Sequence, residues 1–196
     1  MEKKDLKPAG VFKYFEEICQ VPRPSKKEEK MIAYLKAFGA KHNLETKVDE
    51  AGNVLIKKPA TPGKENLQTV VLQSHIDMVC EKNNDVQHDF LTDPIETEID
   101  GEWLKAKGTT LGADNGIGVA TELAILADDS IEHGPLECLF TVDEETGLTG
   151  AFALQEGFMS GDILLNLDSE DEGEIFIGCA GGIDSVAEFT YKAVSY

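Results

Sequence analysis

One imidazole and five carboxylates stand out in this sequence because of what they follow. Ser74-His75-Ile76-Asp77 comes directly after the apolar run 69–73. Asp143-Glu144-Glu145-Thr146-Gly147 comes after or at the end of 136–142, and Asp168-Ser169-Glu170-Asp171 after 163–167. Between the first two lies Gly112-Ala113-Asp114-Asn115-Gly116, at the mouth of a helical pattern. Open α/β sheets place ligands beyond the carboxyl ends of their strands, so His75, Asp77, Asp114, Glu144, Glu145 and Asp168 are expected to converge on one rim. An imidazole with several carboxylates suits zinc or a similar divalent ion, and a bridging carboxylate lets two ions sit about 3.5–4 Å apart. Like charges gathered this closely repel strongly unless cations offset them. A metal is therefore the natural partner.

The spacing suggests roles. In His75-Ile76-Asp77, residues two apart on an extended segment face the same side, so Asp77 can hold the imidazole in one tautomer. In Glu144-Glu145 adjacent side chains diverge, so one can ligate a metal while the other faces water and substrate, as a general base beside a Lewis acid does. Gly112, Gly116 and Gly118 let the backbone pass close to the site and the sheet. Taken singly, each motif has a plain reading as loop or turn chemistry. Their order at successive strand ends is what points to a metal-dependent hydrolase. Two other readings stay open: an N-deacylase or carboxypeptidase on the same metal core, and a non-catalytic metal- or calcium-binding module. The paired glutamates separate the last from the others, since a pure binding site has no need of a carboxylate beside the ligand.

Elements must position these residues. Val11, Phe12, Phe15, Ile18 and Cys19 have helical spacing, and Val21-Pro22-Arg23-Pro24 stops that helix. Ser25 with Glu28 reads as a capping box for a second helix striped by Met31, Ile32, Leu35 and Phe38. A hairpin is expected over 45–49 and 53–57 with Gly52 in its turn, and another around Asp100-Gly101. Apolar runs at 69–73, 136–142 and 163–167 predict buried strands, with helices from Asn115 through Leu126 and over 150–156. Later strands are expected at 174–177 and 185–193. Strands alternating with helices predict an α/β fold: a mixed sheet flanked by helices.

Composition narrows the partners. Of 196 residues, 18 are Lys or Arg and 37 are Asp or Glu, a formal charge of −19. Nucleic acid needs clustered cations, so it is excluded as a partner. No apolar run approaches the roughly 20 residues that span a bilayer, and the start Met1-Glu2-Lys3-Lys4-Asp5 is not followed by an apolar signal core. A soluble cytoplasmic protein without membrane contact is expected. Cys19, Cys80, Cys138 and Cys179 are far apart with no C-x-x-C spacing, which fits reduced thiols.

The four motifs together, residues 72–79, 108–118, 141–150 and 165–170, resemble the aminoacyl-histidine (Xaa-His) dipeptidases of the di-zinc aminopeptidase, carboxypeptidase and aminoacylase superfamily. The resemblance runs along essentially the whole chain. It implies His75 and Asp168 on one zinc, Asp114 bridging, Glu145 on the second zinc, Glu144 as general base and Asp77 orienting His75. Cobalt or manganese could replace zinc. It implies hydrolysis of a dipeptide with a free amino terminus by a metal-activated water. Members of that family are more than twice this long: they insert a lid and dimerisation domain, form homodimers through it, and return to supply a last histidine ligand. On that pattern residues 1–184 are expected to be the N-terminal part of the catalytic domain, truncated before the lid, with 185–196 near the start of the lid. His42, His88 and His133 match no motif and are read as surface histidines. The chain is thus expected to bind at most one metal well, to be inactive alone, and to risk self-association through an uncovered sheet edge.

Overall fold

Short strands that are apolar at nearly every position can be stable only when both faces are covered, and the central strands here meet that condition. The computed structural model describes residues 2–169, 171, 173–178, 181, 182 and 185–192. Helices α1 (Ala9–Cys19) and α2 (Glu29–Lys41) lead into the hairpin β1 (Glu45–Val48) and β2 (Val54–Lys58). Then come β3 (Val70–His75), the hairpin β4 (Thr97–Asp100) and β5 (Trp103–Ala106), α3 (Ala113–Ala127), β6 (Leu136–Thr141), α4 (Thr149–Ala153) and β7 (Ile163–Asn166). The main sheet has the order β1-β2-β6-β3-β7. β6, β3 and β7 run parallel and β2 antiparallel to β6, so the sheet is mixed as expected.

Alternation along the strands makes two cores. Val54, Ile56, Leu72, Cys138 and Phe140 pack with Phe15, Ile18, Met31, Leu35 and Leu123 from the three long helices. Leu55, Val71 and Leu139 point the other way, against Leu154, Phe158 and Met159. The buried Lys58 closes the end of α3, its Nζ donating to the carbonyls of Ile125 (3.1 Å) and Asp128 (2.8 Å), which a helix terminus otherwise leaves orphaned. The first hairpin turns at Gly52, whose φ of 103° only glycine adopts readily. Asp49 Oδ1 accepts from the amides of Ala51, Gly52 and Asn53 there.

Two local expectations change. The Ser25–Glu28 capping box does not form: Glu28 itself sits at the N-cap of α2 without a side-chain cap bond, and both side chains turn to partners far along the chain. Residues 174–177 and 185–192 are in no strand, and residue 193 lies outside the described residues. A strand needs a neighbour for its ladder. Among the described residues this segment has none, and Ile175 is 93% exposed. Cys19 and Cys138 are buried and Cys80 half-buried, all as free thiols; Cys179 lies outside the described residues. Among the described residues no helix is long and apolar enough to cross a membrane.

Candidate metal centre

The three parallel strands β3, β6 and β7 deliver their carboxyl ends to one edge, and the start of α3 faces them. His75 is the last residue of β3 and only 1% exposed. Its Nε2 lies 3.0 Å from Asp114 Oδ1, 3.7 Å from Asp168 Oδ1 and 3.9 Å from Glu144 Oε2. Its Nδ1 is 3.2 Å from Asp77 Oδ1 and equally far from the Asp77 carbonyl. Two groups of ligand atoms, each mutually within 4.8 Å, result: His75 with Asp114 and Asp168, and His75 with Glu144 and Glu145. All six sequence-selected residues therefore meet at the rim.

Asp77 is fully buried and heavily used. Its carboxylate accepts from the Glu144 amide at 3.0 Å, the Glu145 amide at 3.2 Å and the Ser25 hydroxyl at 2.7 Å. Asp114 lies in the first turn of α3 after Gly112, whose φ is 68°, and Asp114 and Asn115 depart from helical angles. Asn115 is buried, and its amide Nδ2 donates to Asp168 Oδ1 at 2.6 Å, tying α3 to the end of β7. Gly118 leaves the room that the Asn115 side chain occupies. Glu28 accepts from the amides of Lys26 and Asp143 at 2.9 and 3.0 Å, bracing the segment before the paired glutamates.

Charge at the site follows from this crowding. Burial alone would lower the pKa of His75, but the Asp77 hydrogen bond and the charges of Asp168 and Asp77 outweigh it and raise it to about 9. Burial would raise Asp77, yet hydrogen bonds from His75, the Glu144 amide and Ser25 hold it at about 2. Asp168 is pushed up to about 6 by burial and by Asp114 and Glu144, against the opposing charge of His75. Glu145 is raised by burial and its acidic neighbours, again with His75 opposing. Glu28, Asp77 and Asp143 form a further buried acidic group, but protein donors, including the Thr146 hydroxyl on Asp143, occupy it.

A cleft of about 220 Å³ opens beside Asp114 and Asp168, walled by Ala113, Ile117 and Leu167. A larger one around Lys57, Glu137 and Ser160 touches none of the rim residues. Sequence reasoning missed Ser25, Glu28 and Asn115 as site residues. The first two were absorbed by a helix-start pattern and the third by turn chemistry. His42, His88 and His133 are half-buried and join none of the ligand groups found among the described residues.

Residues 71–190 match the model of Peptidase family M20/M25/M40. A cytosol non-specific dipeptidase of Escherichia coli strain K12 is 54% identical over 183 residues, 93% of this chain and 38% of the relative. Among solved structures, aminoacylhistidine dipeptidase from Vibrio alginolyticus has a TM-score of 0.86 at 56% identity, covering 88% of this chain and 35% of that one. Aminopeptidase PepT from Bacillus cereus has a TM-score of 0.70 at 26% identity, covering 83% and 43%. The chain thus spans well under half the length of these proteins.

Proposed function

The chain belongs to peptidase family M20/M25/M40, and from that premise we propose that it carries the metal-binding and catalytic residues of a cytoplasmic dipeptidase that hydrolyses Xaa-His and other short dipeptides. The observation that carries this reading is the aim of His75: buried, held from behind by Asp77, it presents Nε2 to Asp114, Asp168 and Glu144.

The donor set fits a divalent ion. An imidazole nitrogen with two carboxylates, the imidazole oriented by a third, is the ligand chemistry of zinc, with cobalt or manganese as alternatives. We assign His75 and Asp168 to one ion, Asp114 to a bridge and Glu145 to a second ion. Such ions supply Lewis-acid chemistry, polarising a peptide carbonyl and acidifying water. Glu144, partly exposed at the rim beside His75, takes a proton from the attacking water and hands it to the leaving amine. The Asp77 carboxylate holds the Glu144–Glu145 turn in place through its two amide bonds. The apolar wall of Ile117 and Leu167 suits a substrate side chain next to the ligands. Homodimerisation through a lid domain belongs to the same proposal and would rest on residues other than those described.

Zinc titration of this chain by calorimetry is expected to show one tight site. Absence of binding at micromolar zinc would overturn the metal assignment. In an active protein that contains these residues, Glu144→Gln is expected to cut dipeptide turnover by about 10²–10⁴-fold with zinc affinity within twofold of the parent. Retained turnover would remove Glu144 as the base.

A further inference from the structure

Arg23 lies between α1 and α2 in the Pro22-Arg23-Pro24 segment, and its guanidinium is buried, with the residue only 2% exposed. A buried charge is costly unless its donors are matched. Here they are matched by main-chain carbonyls rather than by a carboxylate: Nη1 donates to Ile76 and Asp77, each at 3.1 Å, and Nη2 to Gly112 at 2.5 Å. The Arg23 main chain is fixed as well, its carbonyl accepting from the Met78 amide at 3.2 Å and Pro24 bridging to Met78. The planar fork thus spans two segments, adding to the packing of Met78 beside Gly112 and to the bond from the Thr110 hydroxyl to the Val79 carbonyl at 2.7 Å. Ile76 and Asp77 directly follow His75, and Gly112 precedes Asp114 by two residues. A Cβ on either Gly112 or Gly116 would fall 2.6 Å from Nη2, so these two glycines form the cradle for the guanidinium.

We propose that Arg23 is a positioning residue of the metal centre, a rigid clamp that sets the separation of the His75 and Asp114 segments before an ion arrives. The proposal rests on the reading of the rim as a metal centre. Five N–H groups in a fixed plane hold several carbonyls in one preset geometry; a lysine ammonium can reach two, as Lys58 does, but its three donors rotate on a flexible stem and preset no such geometry. Ligands held in advance spare the ion the ordering that binding would otherwise require.

Cobalt titration of the whole chain, read by visible absorption and calorimetry beside thermal melting, tests this. Arg23→Gln and Arg23→Lys are each expected to weaken the tighter cobalt site at least tenfold and to alter its absorption bands. Gly116→Ala keeps the arginine and adds a better helix former, but puts a methyl where Nη2 sits. It is expected to weaken cobalt binding similarly; because its Cβ would also fall 3.2 Å from the Phe15 ring, some loss of melting temperature is expected, and it carries the test if Arg23→Gln does not fold. Leu139→Ala, in the core on the other sheet face, is expected to lower melting while leaving cobalt affinity unchanged. Arginine variants that melt earlier yet bind cobalt within twofold of the parent, with the parental spectrum, would overturn the clamp and leave the metal centre standing. A parent chain that binds no cobalt would overturn both.

Discussion

Asp77 carries more of the site than the orientation of one imidazole. Its two oxygens collect a hydroxyl, two amides and the His75 ring, so one buried carboxylate links β3, the segment after α1 and the turn after β6. Asp77→Asn keeps the size but puts a donor where an acceptor is required. Zinc affinity measured by calorimetry is expected to fall about 10–100-fold, the usual consequence of losing the partner of a metal-bound histidine; unchanged affinity would show that the imidazole is oriented by other means. His75, Asp114, Glu144 and Asp168 were legible in the sequence because each follows or faces a strand end. Ser25 and Glu28 were not, because a helix-start pattern explains them locally while Asp77 and Asp143, the partners that tie them to the site, lie 52 and 115 residues away. Burial decides the competition: the Asp77 carboxylate and the Asp143 amide have no water to turn to, whereas the exposed first turn of α2 does.

Helix α3 shows the same override within one element. Val119, Leu123 and Leu126 give its apolar stripe away in the sequence, yet Glu122 beside them is 0% exposed. Its carboxyl lies against the Ser74 hydroxyl and the Cys138 thiol without a well-formed hydrogen bond to either. By helical period position 122 shares the face of Val119, Leu123 and Leu126; only its charge argues for the solvent side, and the packing of α3 against the sheet overrides that. Burial pushes its pKa well above the ordinary carboxylate value. The folded chain therefore keeps a proton that the unfolded chain releases near its ordinary pKa, and stability is full below that pH and declines as pH rises above it. Each pH unit is worth at most about 1.4 kcal/mol. Urea unfolding is expected to find Glu122→Gln close to the parent near pH 4 and increasingly more stable than the parent toward pH 8. Parallel profiles would mean that Glu122 ionises in place. The late strands failed for the converse reason: the alternation at 174–177 and 185–192 is real, but a strand is a property of a pair, and no partner stands beside these residues among those described.

At the scale of the whole molecule, the acids behind the formal charge of −19 include buried ones such as Glu122 and Glu137 and those gathered at the rim, which His75 faces. The sheet order matters most there. β6 and β3 are interior, but β7 pairs with β3 on one side, and no described strand covers its other side. Leu164 is 48% exposed. Asp168 hangs from this edge, attached inward by the Asn115 amide and, just before it, by the Leu167 amide on the Gln73 carbonyl at 2.8 Å. An ion that takes Asp168 as a ligand is then coupled to the edge, and coupling is reciprocal: whatever frays β7 weakens the ion, and the ion protects β7. Hydrogen–deuterium exchange is expected to slow at least tenfold over 163–167 when zinc is added, with far less change over 136–141; uniform protection of both strands would sink the idea. An edge strand of the sheet would thus report occupancy of the site, and its amide exchange would serve as a built-in gauge of the metal.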